Sequence, residues 1–261
     1  VSELQDFLNR IGALLEVDSD FGPATERAVK EVQELAKLPV TGIAGQATWD
    51  WLESQPLPSP HLSTTDVTFV VREEVGSREF YDRVTAFPHC PGEESGVTIG
   101  IGYDLRFQGP GNLEADWQEE LPREVLATLR PHLGEMGSSD AVTALKSIKI
   151  SFHAAWTVFT KRTLPRYIGV TRTAYPQFGE LPDGCRGVLA SLIYNRGASM
   201  DGDRRREMRA IREHLEARAL LKVADEIEAM KRLWPNSKGL RDRRDREAAL
   251  WRKGLSEAGL T

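Results

Sequence analysis

The sequence predicts an α+β protein, predominantly α-helical, in which a small helical module precedes a larger helical domain carrying one short β-hairpin. Three observations lead there. Apolar residues recur at helical spacing along most of the 261 residues. The segment 54–60, SQPLPSP, interrupts that pattern with Pro56, Pro58 and Pro60, each of which opposes a regular helix. A single stretch, VTIGIGYDL at 97–105, alternates with period two.

Leu4, Phe7, Leu8 and Ile11 define the first helix, and DSDFG at 18–22 follows as a turn. Thr25 to Leu38 forms the second, with Ala28, Val29, Val32, Leu35 and Ala36 available for one face. A third starts near Ala47 and carries Trp49 and Leu52. Helices this short are marginal alone and must pool their apolar faces into one core. The expected boundaries are therefore a module over 1–53, a Pro/Ser-rich linker over 54–62 and a second domain over 63–261.

Composition excludes several classes. With 40% hydrophobic and 28% charged residues, 22 Gly and 14 Pro, the chain is neither collagen-like nor wholly disordered. No apolar run reaches the length of a membrane span. The net charge of -5 does not point to nucleic acid. His61, His89, His132, His153 and His214 lack metal-binding spacing, so neither a metal nor a cofactor is expected. Cys90 and Cys185 are too few to define a disulfide framework.

The order LQDFL, DSDFGPATERAVKEVQ, LPVTGIAGQATWDWL resembles the small peptidoglycan-binding domain attached to many cell-wall hydrolases, over residues 1–53. FGPAT at 21–25 and AGQAT at 44–48 twice place a glycine turn before a helix start. The first turn, LLEVDSD, departs from the glycine-rich form. Bacterial peptidoglycan is the partner this implies. Trp49 and Trp51 cannot share a helical face. One is expected in the core, leaving the other as a sugar platform, a lid over the linker or an exposed ring.

In the second domain, Val67, Val70, Val71, Glu74, Val75 and Tyr81 fit a helix interrupted near Gly76 and Ser77, with Thr65 or Asp66 as its cap. A Pro- and Gly-rich loop spans 88–96. In a straight strand over 97–105, Thr98, Gly100, Gly102 and Asp104 share one face, and Ile99, Ile101 and Tyr103 the other. Cleaving a glycosidic bond takes a proton for the leaving oxygen and help for the nucleophile, commonly from two acidic residues. Glu74 is the candidate general acid, with Glu73 its rival one residue away. Asp104 is the candidate that activates water, which the Thr98 hydroxyl orients.

EVGSREFYDRV followed by SGVTIGIGYD resembles the lysozyme-like muramidases that include phage lysozymes and pesticin-type bacteriocins, and is closer to the pesticin-like branch. Glu74, Thr98 and Asp104 match that branch's catalytic glutamate, threonine and aspartate. The phage branch carries its aspartate before the threonine, where Glu93 and Glu94 are the nearest acids. The resemblance implies a lysozyme-like domain that hydrolyses the β-1,4 bond between N-acetylmuramic acid and N-acetylglucosamine. It also implies inversion, with carboxyl groups roughly 6.5–9.5 Å apart. A lytic transglycosylase and a wall-binding protein without catalysis are the alternatives.

The remainder reads as helical: broken helices over 113–133, runs from Ala141 to Ile150 and from Phe152 to Leu164, and an apolar core segment from Val188 to Ile193. The family resemblance sets Asn195 and Arg196 beside the sugar cleft, and Tyr103 and Tyr194 are further candidate substrate contacts. The basic runs around Arg204, Arg205 and Arg206 and in GLRDRRDREAALWRKGL read as solvated faces laced with ion pairs. A Cys90–Cys185 bridge is one way the loop could be braced against the core helix. The expected protein is a monomer acting on the periplasmic or extracellular side of the bacterial wall. VSELQDFLNR shows no signal-peptide pattern, which favours phage lysis or specialised secretion as its route.

Overall fold

The computed structural model describes residues 1–92 and 94–260. It is mostly helical and holds one two-stranded sheet among the described residues. The N-terminal part contains α1 (Ser2–Arg10), α2 (Pro23–Leu35) and α3 (Gln46–Ser54). α4 (Thr64–Val75) and α5 (Arg78–Phe80) follow, the latter running into a π-helical turn over Tyr81–Thr85. Next come β1 (Thr98–Ile99), β2 (Tyr103–Asp104), α6 (Pro110–Trp117), α7 (Arg123–Leu129), α8 (Ser139–Ala144) and α9 (Phe152–Val158). The chain ends with α10 (Leu164–Ala174), α11 (Cys185–Arg196), α12 (Arg206–Glu216), α13 (Leu221–Ala229) and α14 (Lys238–Glu257). Two compact units emerge: Val1–Pro58 with Glu74–Leu164, and Ser59–Glu73 with Pro165–Thr261.

In the first unit, Leu4 and Leu8 of α1, Ala28, Val29 and Val32 of α2, and Leu52 of α3 form one apolar core. Apolar periodicity does not anticipate the buried amides on these helices. Gln5 donates to Asp18 Oδ1 (2.7 Å) and the Asp20 carbonyl (3.0 Å), and accepts from the Asp18 and Ser19 amides (both 3.1 Å). Gln33 does the same for the second turn, donating to the Ile43 carbonyl (2.9 Å) and accepting from Thr41 N (2.8 Å) and Gly42 N (2.9 Å). The two sequence echoes are thus two turns built alike, each satisfied by a glutamine from the preceding helix. At equivalent left-handed positions stand Ser19 (φ +67°) and Gly42 (φ +76°). Trp49 and Trp51 are both half-buried against this core, and Trp49 meets Phe7 edge-on at 5.7 Å. Neither indole is the fully buried one expected, because Thr48 and Leu52 occupy the innermost positions of α3.

The same unit joins these helices to residues that follow Glu74. Gly12 (φ +88°) lies so close to α9 that a Cβ there would sit 2.7 Å from the rings of Phe152 and Trp156. Arg78 donates to Glu31 Oε1 (2.8 Å) and to the Gly12 carbonyl (3.3 Å), with its guanidinium 4.0 Å from the Phe152 ring centre. Tyr81 is buried, edge-on to Phe152 at 4.9 Å, and donates to the Ile150 carbonyl at 3.2 Å. The helix predicted from Ala141 stops at Ala144.

In the second unit, Val188, Leu189, Leu192 and Ile193 of α11 are fully buried, as are Ile227, Ala248, Trp251 and Leu255 of α13 and α14. Glu247 is buried between Arg243 and Arg244 and accepts from Ser191 Oγ at 2.6 Å, a polar knot inside an apolar bundle. Ser63, rather than Thr65 or Asp66, starts α4: its Oγ accepts from Asp66 N at 3.1 Å. Asp66 is instead buried, with Oδ1 accepting from Gly184 N (2.8 Å) just before α11. Burial raises its carboxyl to about 6, outweighing the Gly184 hydrogen bond. The basic runs are laced with ion pairs, including Arg232 with Asp203 and Glu207, and Arg252 with Asp225 and Glu228. Both cysteines are free, Cys90 exposed and Cys185 buried, so no bridge braces the loop.

Candidate active site

The period-two segment is not a straight strand. Gly100 (φ +56°) and Gly102 (φ +65°) take left-handed conformations that fold it back on itself, so that Thr98 opposes Asp104 and Ile99 opposes Tyr103. In a straight strand, six residue-to-residue steps would separate Thr98 from Asp104 by about 20 Å. The hairpin makes them cross-strand neighbours. The flanking bond from Leu105 N to the Val97 carbonyl (2.9 Å) identifies theirs as the narrow type of pair, in which side chains lie closest. Gly100 also admits Trp117, whose ring would lie 2.8 Å from a Cβ at that position.

Backbone donors hold the Asp104 carboxylate. Gly96 N reaches Oδ1 and Oδ2 (3.0 and 3.1 Å), and Arg106 N reaches Oδ1 (2.9 Å). A carboxylate offers about four acceptor sites, so Oδ2 retains room for a further donor. The Thr98 hydroxyl is buried and has no hydrogen-bond partner among the described residues. A buried hydroxyl left unsatisfied costs about 1–3 kcal/mol. It is a buried polar atom of the hairpin that forms no hydrogen bond to the described residues.

Glu74 is half-buried in the last turn of α4, which ends at Val75 just before Gly76 (φ +74°), and belongs to the same compact unit as the hairpin. Glu73 belongs to the other unit. There its carboxylate forms a two-pronged pair with Arg246 (2.6 and 2.8 Å), and its carbonyl accepts from Arg243 at 3.4 Å. The rival glutamate is committed to a structural ion pair. Of the acids preceding Thr98, Glu94 is exposed, with its carbonyl bound by Arg106, and Glu93 lies outside the described residues.

The expected substrate contacts fare differently. Tyr103 is 3% exposed, donates its hydroxyl to Asp116 Oδ2 at 2.9 Å and packs edge-on against Trp117. It braces the hairpin from its apolar side, as the alternation demands. In the second unit, Tyr194 stacks obliquely on Tyr167 (4.4 Å), and Asn195 Oδ1 accepts from Arg244 (3.2 Å). Arg196 is buried, with its guanidinium 4.9 Å from the Trp234 ring centre and donating to Met208 Sδ (3.4 Å) and the Arg204 carbonyl. Burial, with Arg205 and Arg244 nearby, lowers that guanidinium to about 10. The contacts named for Tyr194, Asn195 and Arg196 all lie within the second unit. Sequence reasoning also passed over His89, which forms an antiparallel bridge with Thr98. Its position in a Pro-rich loop gave no periodic signal.

Among the described residues, no three His, Cys, Asp or Glu side chains gather into a metal-holding group, and no helix is long and apolar enough to cross a membrane. No curated protein is similar enough to match the chain. Residues 1–52, which hold the paired glutamine-bound turns, match the family model described as a putative peptidoglycan binding domain. That match supports a peptidoglycan-binding domain at the N-terminal end of the chain, and with it association with the cell wall.

Proposed function

We propose that the chain is an N-acetylmuramidase that cleaves the β-1,4 bond between N-acetylmuramic acid and N-acetylglucosamine in peptidoglycan. The observation that carries this reading is the hairpin pair: Thr98 opposite Asp104, with the threonine hydroxyl buried and unsatisfied. A water donating to Asp104 Oδ2 and hydrogen-bonded to Thr98 Oγ1 would satisfy both. The wall-binding family match over residues 1–52 supports the substrate class.

In this mechanism the water attacks the anomeric carbon of N-acetylmuramic acid as its bond to the 4-oxygen of N-acetylglucosamine breaks. Asp104 takes the proton released by the water, and Glu74 gives its proton to the departing oxygen. Attack opposite the leaving group inverts the configuration, as in the pesticin-like resemblance. Thr98 sets the direction of the water and exchanges no proton in the net reaction.

One observation favours a second reading, a wall-binding protein without catalysis. The backbone bonds from Gly96 and Arg106 account for Asp104 as a loop anchor even without chemistry. Digestion of purified peptidoglycan separates the readings. The native chain is expected to release fragments with reducing-end muramic acid, and Glu74→Gln to lose about 10²–10⁴-fold in rate while staying folded. Anhydro-muramic ends would make the chain a transglycosylase. Intact glycan with the chain still bound to the wall would leave the binding reading alone.

A further inference from the structure

We propose that His89 is a third functional side chain of the hairpin face, whose Nε2 accepts a hydrogen bond from a hydroxyl or acetamido N–H of the bound glycan. The inference deepens the hydrolase reading and rests on it.

His89 and Thr98 exchange both backbone hydrogen bonds, His89 N to the Thr98 carbonyl at 3.1 Å and Thr98 N to the His89 carbonyl at 2.7 Å. Directly opposed residues of an antiparallel ladder project from the same face. Thr98 opposes His89 on one side and Asp104 on the other, so the three side chains form a row. From the usual spacings of the two pair types, the row spans about 10 Å.

The ring's chemistry is fixed by one contact. His89 Nδ1 lies 3.0 Å from the Phe87 carbonyl. A carbonyl oxygen only accepts, so Nδ1 carries the proton, and in the neutral ring Nε2 is left as an acceptor. Nε2 has no partner among the described residues, and the residue as a whole is half-buried. Backbone pairing and the Phe87 bond therefore orient an acceptor without using it. Such a preorganised group is what a binding site requires. Beside it stand the unsatisfied Thr98 hydroxyl and the Asp104 carboxylate, so the row is rich in acceptors. A ligand rich in O–H and amide N–H donors, such as an N-acetylated glycan, complements it.

Two substitutions separate a ligand contact from a loop anchor. His89→Asn keeps a donor for the Phe87 carbonyl but lacks the distal nitrogen, whereas His89→Gln reaches the Nε2 position and gives up the anchor. With soluble peptidoglycan fragments, Asn is expected to raise KM about fivefold to tenfold, the effect of one neutral hydrogen bond, with kcat within about twofold. Gln is expected to raise KM less than Asn does, by a factor of at least about two, because its side-chain oxygen reaches the Nε2 position. The reverse order, or equal losses, would overturn the proposal. Imidazole ¹⁵N spectra of the native chain with an N-acetylglucosamine tetramer give a readout that needs no variant to fold. A shift of the His89 Nε2 signal on binding supports the contact, and an unmoved signal overturns it, as does failure of the tetramer to bind. A shifted signal in a chain that releases no products would leave the contact standing and remove the hydrolase reading.

Discussion

Two polar regions suggested by the same family resemblance, the hairpin at 98–104 and the end of α11 at 194–196, differ in what the fold leaves over. At the helix end, Asn195 Oδ1 and the Arg196 guanidinium already have partners. Asn195 is bonded by Arg244, and Arg196 by Met208, the Arg204 carbonyl and the face of Trp234. At the hairpin, the Thr98 hydroxyl and the His89 Nε2 remain without partners among the described residues. Buried polar groups are normally satisfied, so the Thr98 hydroxyl calls for a partner from outside the fold. The contrast predicts that substitutions at the helix end change stability, while substitutions on the polar face of the hairpin change turnover.

The largest expected effect tests whether the hairpin geometry is the site. Gly100→Ala forces a side chain into a left-handed conformation at φ +56° and toward Trp117, 2.8 Å from the new Cβ. The left-handed cost of about 1–2 kcal/mol and an overpacking cost of about 1–3 kcal/mol should add. Denaturant unfolding should show a loss of about 3 kcal/mol, with peptidoglycan turnover abolished. A stable variant with native turnover would mean that the glycine turn does not build the site.

The pH dependence of the second unit comes next. Asp66, which accepts from Gly184 N at the start of α11, has its carboxyl raised to about 6 in the fold, against about 3.9 in an unfolded chain. Below about pH 4 both states hold the proton and nothing is lost. As pH rises toward 6 the unfolded chain ionises first, so stability falls, by up to about 3 kcal/mol, and then levels off. Asp66→Asn keeps the oxygen acceptor and should abolish that slope in melts taken between pH 4 and 7. A slope retained in the variant would assign it to another group.

A smaller change is expected at the helix end itself. Arg196→Ala should cost about 2 kcal/mol through lost cation–π and hydrogen-bond contacts, while turnover per folded molecule stays native. A drop in kcat at unchanged melting temperature would break the contrast and return Arg196 to the sugar cleft.

What the sequence made legible follows from where each signal lives. Local patterns carried the short helices, the interruption at Gly76 and the glycines Gly22 and Gly45 that stand just before α2 and α3, because helix starts and stops are short-range demands. Period-two alternation and its two glycines pointed to a short hairpin, but not to the register: that Thr98 faces Asp104 across the turn made by Gly100 and Gly102 came only with the fold. The buried amides of Gln5, Asn9 and Gln33 were invisible to apolar periodicity, since they are inside to satisfy loops that only the tertiary fold brings near. The destinations of Arg196 and Glu73 depend on residues 8 to 173 positions away. No local rule reaches that far.

The smallest energy difference gives the sharpest separation between the regions. Thr98→Val keeps the shape of a β-branched side chain and removes only the hydroxyl. If that hydroxyl served the fold, its loss would lower stability. It is buried without a partner among the described residues, so its loss removes no bond of the fold, and the variant should keep its stability within about 1 kcal/mol. Turnover on peptidoglycan should nevertheless fall at least about tenfold as the water loses its orienting group. Unequal responses in the two measurements are the mark of a group retained for chemistry. A variant that melts lower and digests peptidoglycan at the native rate would make Thr98 a structural residue, and the hairpin would then resemble the helix end.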